Sequence, residues 1–357
     1  MTCKRSIAIW PTVSSKCDCT VKDCPHQKEW QEPDKSQKAD LHINVWRLPH
    51  TFHRSLKNVL NLEWWKALFS TVNTDRFLDF GFMVEKPSEI DCINIFIPDS
   101  NIKNKDKFVC DLSEKLLDVS VLSAVFNGDL SLTNSIAAYQ HEVTGCNEFI
   151  LHELTENDVS CEEQYDGLLI KIKIPNLDKK IYIRVRLNSE TLKHCISQES
   201  LSNSFIQKFL SKVEITDFQL NEFRTLDKRL RDKIKKEGKF DFSKINAFFI
   251  SNSEYDILID SPKYDSCRYL ENSVWKKYID HPFLKSETPN GVLAYHWKVR
   301  PKTEGESKCE LTSFAMLIKA KFESASTLRK FGYLVLAAFV PISLSLFANI
   351  IFEKFIK

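Results

Sequence analysis

Lys171–Arg186 reads KIKIPNLDKKIYIRVR, and its alternation decides the fold class. Ile170, Ile172 and Ile174 fall on one face of a first strand, and Ile181, Ile183 and Val185 on one face of a second. A period of two is the signature of half-buried β structure. The spacing predicts a hairpin, Leu168–Ile174 and Ile181–Leu187, joined by Pro175–Lys180. Its other face carries Lys171, Lys173, Arg184 and Arg186, with Lys179 and Lys180 at the turn and only Asp178 opposing them. Like charges across a strand pair are destabilising, so these six cations call for compensation. One reading is a bound anion such as a nucleotide, an oligonucleotide or a lipid headgroup. The other is a solvated face that protects an edge strand.

Working outward, the same alternation predicts strands at His42–Leu48, Val119–Phe126, Ser135–Glu142, Phe149–Leu154, Ile215–Phe223, Ala247–Ser251, Tyr255–Asp260, Val292–Val299 and Phe314–Phe322. Asp79–Val84 and Ile90–Ile97 read as another hairpin, with Pro87 in its turn. Helical spacing marks Phe52–Val72, Leu112–Leu117, Leu201–Val213 and the charged stretch Arg224–Lys239, where Leu226, Leu230 and Ile234 recur at i, i+4 and i+8. Asn101–Lys107 is polar and reads as a loop. The sum is an α+β chain rich in antiparallel strands. The acidic stretch Thr155–Gln164 suggests a boundary between an N-terminal α+β domain, 1–154, and a β-rich domain, 155–323.

The end of the chain has a different texture. Phe331–Phe352, FGYLVLAAFVPISLSLFANIIF, holds 22 residues without a charge. As a helix it extends about 33 Å, enough to cross a hydrocarbon core of ~30 Å. Residues 324–357 therefore read as a linker and one transmembrane helix, 331–352. Lys319, Lys321, Arg329 and Lys330 on the domain side outnumber Lys354 and Lys357, which places the large domain in the cytoplasm. Ala338, Pro341, Ser345, Ala348 and Asn349 form one stripe, where small residues permit close helix approach and Asn seeks a partner. That stripe predicts self-association, with a multi-chain pore as one outcome and an inert anchor as the alternative.

Counting excludes several chemistries. Only eight of the 357 residues are glycine, against about 25 at ordinary usage. None lie close together, so no phosphate-cradling loop or G-x-S-x-G elbow exists. With 50 Lys and Arg against 48 Asp and Glu, no global charge draws the chain toward nucleic acid. Eleven cysteines, in a sequence whose N-terminal region shows only the short apolar run Ile7–Pro11, read as thiols in a reducing compartment. Cys17, Cys19, Cys24 and His26 have the residue types of a zinc site, although the spacing is not the familiar C-x2-C. No catalytic constellation is recognised, and the chain reads as more a binding protein than an enzyme.

The whole layout is a strand-rich cytosolic domain joined to a terminal membrane helix, in a Lys/Asn/Ile-rich chain. It resembles the membrane effectors of bacterial anti-phage defence systems, which answer a nucleotide or oligonucleotide signal by permeabilising the inner membrane. The resemblance implies a homo-oligomer in the inner membrane whose domain senses an anionic ligand or partner. It carries over no individual site residue. A tail-anchored adaptor and a membrane-tethered nucleic-acid or nucleotide hydrolase remain the alternatives.

Overall fold

The computed structural model describes residues 6–14, 36–49, 74–99, 108–187, 196–199, 211–253, 255–279, 291–304, 307–323 and 327–355. These residues form an α+β structure dominated by mostly antiparallel sheets. The helix expected at Phe52–Val72 and the loop expected at Asn101–Lys107 lie outside them, as does most of the helix expected at Leu201–Val213.

The largest sheet has ten strands. Its centre is β2 (Ser36–Pro49), β3 (Thr74–Val84) and β11 (Ile181–Leu187), with β5 (Val109–Asp111) added to β11. One flank continues through β8 (Phe149–His152), β7 (Gln140–Gly145) and β6 (Leu130–Ala137). The other runs through β14 (Lys239–Asn252), β17 (Val292–Val299) and β16 (Ser266–Tyr269). Strands from both sides of Thr155–Gln164 thus share one sheet, and Val159–Gln164 itself is strand β9.

Two four-stranded sheets face it. One is β1 (Ala8–Val13), β4 (Ile90–Ile97), β10 (Gly167–Lys173) and β9. The other is β12 (Ile196–Glu199), β13 (Ser211–Leu220), β20 (Phe314–Glu323) and β15 (Asp256–Ser261). A bridge between Ile7 and Leu220 ties these two together. A small pair, β18 (Thr303–Glu304) and β19 (Ser307–Lys308), stands apart. The main core fills the space between layers, with Ile43, Phe80, Ile183, Ile95, Ile170 and Met316 all buried. Each such side chain contributes about 1.5–3 kcal/mol by leaving water.

Both expected hairpins are instead arches. β10 pairs with β4 and β9, whereas β11 pairs with β3, β5 and β8, so the two halves of Lys171–Arg186 lie in different layers. β3 and β4 separate in the same way. The arch connections touch, Ser88 N donating to Leu177 O at 3.1 Å. The physical reason is that alternation specifies a buried face and not a partner. The isoleucines meet across the sandwich as readily as they would side by side, and a seven-residue connection reaches over the ~10 Å layer spacing.

Four helices are described. α1 (Val119–Phe126) replaces an expected strand. Asp118 caps it by accepting from Ser120 N and Val121 N, and Asn127 ends it at φ 51°. These local bonds override the strand preference of the valines. α2 (Lys228–Glu237) buries Leu230 and Ile234, with nearby Leu226, against Trp10, Phe96 and Leu169 on the outer face of the β1–β4–β10 sheet. α3 (Asn272–Ile279) and α1 cover the back of the ten-stranded sheet.

α4 (Thr327–Phe355) is a 29-residue helix that contains the expected span. Among the described residues no helix is long and apolar enough to cross a membrane. The α+β, antiparallel part of the expected fold class is thus observed, and its transmembrane helix, 331–352, is not supported by the described residues.

Candidate functional site

The back face of the ten-stranded sheet holds a buried polar cluster. Alternation along β11 turns Tyr182, Arg184 and Arg186 to this side, while Ile181, Ile183 and Val185 enter the main core. α3 closes over them, because Trp275, Tyr278 and Ile279 share its buried face. Trp275 and Tyr278 pack on Trp46, with ring centroids 6.0 and 5.8 Å from it.

Asp79 is the anionic centre and is fully buried. Arg186 donates to both its oxygens, at 2.7 and 3.1 Å, while Trp46 Nε1 and the Tyr278 hydroxyl add bonds of 2.8 and 2.7 Å. Arg186 also lies 4.0 Å over the Phe77 ring. Its charge is therefore matched in a bidentate pair, the strong arrangement for a guanidinium and a carboxylate.

Arg184 is placed differently. It is 2% exposed, yet its acceptors are neutral. Nε donates to the Tyr278 hydroxyl and Nη1 to the Tyr182 hydroxyl, both at 2.6 Å. With the Asn44 amide oriented so that its oxygen faces the guanidinium, Nη2 donates to Oδ1 at 2.7 Å. The Tyr278 hydroxyl donates in turn to Asp79, and the Tyr182 hydroxyl shares a hydrogen bond with Nδ1 of His42, 3.1 Å away. Burial, then the charge of Arg184, pushes the His42 pKa well below its ordinary value. Its imidazole is therefore held in the neutral form at pH 7. One carboxylate thus serves two buried guanidiniums. The close approach requires Gly81, where a Cβ would stand 2.1 Å from the Tyr182 hydroxyl.

Arg184, His42 and Asn44 form the floor of a narrow cleft that Trp275 and Phe248 wall and Arg268 lines. Arg268 is exposed and bonds Asn127 Oδ1 and Ala124 O, at the end of α1. About 10 Å³ is open to a water centre, room for roughly one water.

A second, larger cavity of about 450 Å³ opens where Leu154–Val159 crosses between layers, lined by Asp111, Glu156 and Cys161 among others. Burial pushes the Asp111 carboxyl up to about 7, against hydrogen bonds from Ser113 and Leu154.

The six cations singled out in the sequence do not form one surface. Lys171 pairs with Glu162 at 3.0 Å on the outer face of its sheet, and Lys179 pairs with Glu142 at 2.7 Å. Lys173 and Lys180 are exposed. Arg184 and Arg186 are buried on the opposite side of the sandwich. The shared cationic hairpin face is therefore corrected, because the arch sends its two strands to different layers. Ala338, Pro341, Ser345, Ala348 and Asn349 are all exposed on α4. Cys17, Cys19, Cys24 and His26 lie outside the described residues; among the described residues no group of three His, Cys, Asp or Glu could hold a metal ion.

Sequence reasoning missed Asp79, Tyr182, Trp275 and Tyr278. The available signals were the Y-x-R-x-R alternation at Tyr182–Arg186 and the i, i+3 aromatic pair Trp275 and Tyr278. No family model matches the chain, and no curated protein matches it.

Proposed function

We propose that the chain is a single-pass membrane protein without catalytic activity of its own, whose sandwich stands in the cytoplasm as a binding domain and whose α4 lies in the bilayer. Copies pack there along the Ala338, Pro341, Ser345, Ala348 and Asn349 stripe, and a shift in the sandwich moves the helices between closed and leaky packing. This is the arrangement of the defence effectors that the layout resembles.

The observation that carries the reading is the surface of α4. Leu334, Phe339, Leu344 and Phe347 are 69%, 67%, 64% and 63% exposed, and Ile342, Leu346, Ile350 and Phe352 are exposed beside them. An apolar surface of that extent demands lipid or another protein as cover. Only residues 324–326 separate α4 from β20, so movement of the sheet reaches the helix through a short connection.

Alkaline carbonate extraction of cells expressing the full chain tests the placement. The protein is expected to stay in the membrane pellet and to leave it only with detergent. Recovery in the carbonate supernatant overturns the reading. The extracted particle should have a mass that is a multiple of 41.5 kDa, and a strict monomer removes the packed-helix part. In liposome flux, Asn349→Leu is expected to abolish leakage while the sandwich remains folded. Unchanged leakage dismisses Asn349 from that path.

A further inference from the structure

We propose that the cleft between α1, α3 and the back of the ten-stranded sheet binds a compact monovalent anion, a carboxylate group or a halide, against Arg184 and Trp275. The inference goes beyond the membrane reading and does not depend on it.

Three observations converge. First, Arg184 brings a full positive charge to the floor of the cleft. Asp79, the one carboxylate of its network, is already engaged by Arg186 in two hydrogen bonds. A buried guanidinium whose acceptors are all neutral leaves a local field that an anion relieves. Second, the indole N–H of Trp275, a residue 5% exposed that lines the same cleft, is buried without a hydrogen-bond partner among the described residues. Trp275 and Arg184 both line the one cleft, and an anion held there would supply the acceptor that the indole lacks. Third, the lining is donor-rich. Arg268 adds a second guanidinium, and no Asp or Glu is among the described lining residues.

Size and depth narrow the class. A cleft that admits about one water centre fits a halide or the head of a carboxylate, and is small for a tetrahedral phosphate. The neutral His42 and the apolar Phe248, Ile250 and Leu270 around it exclude bulk water, which strengthens each charge-assisted bond.

The test is the 35Cl NMR linewidth of chloride with the detergent-solubilised full chain, followed by competition with acetate and with inorganic phosphate. Specific binding is expected to broaden the line, with a Kd on the order of 1 mM. Acetate should restore the narrow line and phosphate should not. Trp275→Phe keeps the ring and removes the N–H, and is expected to weaken binding about tenfold. Arg268→Gln changes an exposed side chain and is expected to weaken it about threefold, which keeps the test readable if the Trp275 variant folds poorly. No broadening, or broadening unchanged in both variants, overturns the proposal. Displacement by phosphate as effective as by acetate overturns the assignment to compact monoanions.

Discussion

Glu214 and Asp79 each meet two arginines, one between the layers and the other on the back of the large sheet. Glu214 accepts from Arg47 Nε and Nη2 at 2.5 and 3.0 Å and from Arg76 Nη2 at 2.8 Å. Arg76 keeps 23% of its side chain in solvent, and Arg47 rests 4.5 Å over the Tyr255 ring. Both cations touch the same carboxylate, and one drains its field into water. Asp79 takes Arg186 directly but reaches Arg184 only through the Tyr278 hydroxyl. The first arrangement joins β13 to the ends of β2 and β3. The second leaves one buried charge facing a cleft. Equal counts of charge therefore give a strut in one place and a candidate site in the other, and solvent access with direct contact makes the difference.

The comparison breaks most readily at the carboxylates. Asp79→Asn leaves two fully buried guanidiniums without an anion, which is expected to cost about 3–5 kcal/mol. Glu214→Gln keeps one carbonyl acceptor beside a partly solvated Arg76 and is expected to cost about 2 kcal/mol. Urea midpoints at pH 7 measure both. A larger loss at Glu214 would erase the distinction.

Asp111 marks the limit in which a carboxylate has no arginine partner. Its folded pKa of about 7 is above the ordinary carboxylate value, with burial the main cause. The stability it contributes is therefore full below about pH 4 and is lost as the pH rises through about 7. Asp111→Asn is expected to remove that decline from a series of urea midpoints. A decline that persists in the variant assigns it to another group.

Less of the site than of the fold could be read from the amino acids. Val292–Val299 is a strand over the same residues in expectation and in structure. Phe314, Met316 and Ile318 are buried as their alternation required. Local patterns determine such faces because burial is a one-body property of each residue. Partner choice is not, and the two arches show it, since Ile170 and Ile183 enter one core from different layers and satisfy the same alternation as a hairpin would. Arg184 and Arg186 were visible as cations. Their burial depends on α3, ninety residues later, and on the gap that Gly81 leaves for Tyr182. Sites assembled from strand positions and one distant helix have no local signature.

Arg184→Met separates the two arginines on one strand. Removing a buried cation whose acceptors are neutral hydroxyls and an amide is expected to cost about 1 kcal/mol or less, because an apolar side chain of similar volume fills the space. The same change at Arg186 strips Asp79 of its partner and is expected to cost about 3–5 kcal/mol. Thermal or urea denaturation of the pair reads the difference. Equal costs would mean that Arg184 is compensated as fully as Arg186, and the contrast with the Glu214 cluster would fail.

The smallest effect tests how α3 is held over the Asp79 cluster from outside. Lys277 of α3 reaches Asp118 at 2.6 Å, and Asp118 caps α1. Lys277 first, and then the Ser120 hydrogen bond, holds the Asp118 carboxyl down to about 2. The sign is opposite to that of Asp111. A depressed folded pKa gives stability that is present above about pH 4 and lost as the pH falls through about 2. The pair is exposed and screened by solvent, so the cap dominates, and Asp118→Ala is expected to cost about 0.5–1 kcal/mol. Asp118→Asn should retain most of the capping while losing the charge. It should therefore match the wild type at pH 7 within about 0.5 kcal/mol and differ in having a flatter acid limb. If Asp118→Asn costs as much as the alanine change, the contact with Lys277, and not the cap, is what fastens α3 over Arg184.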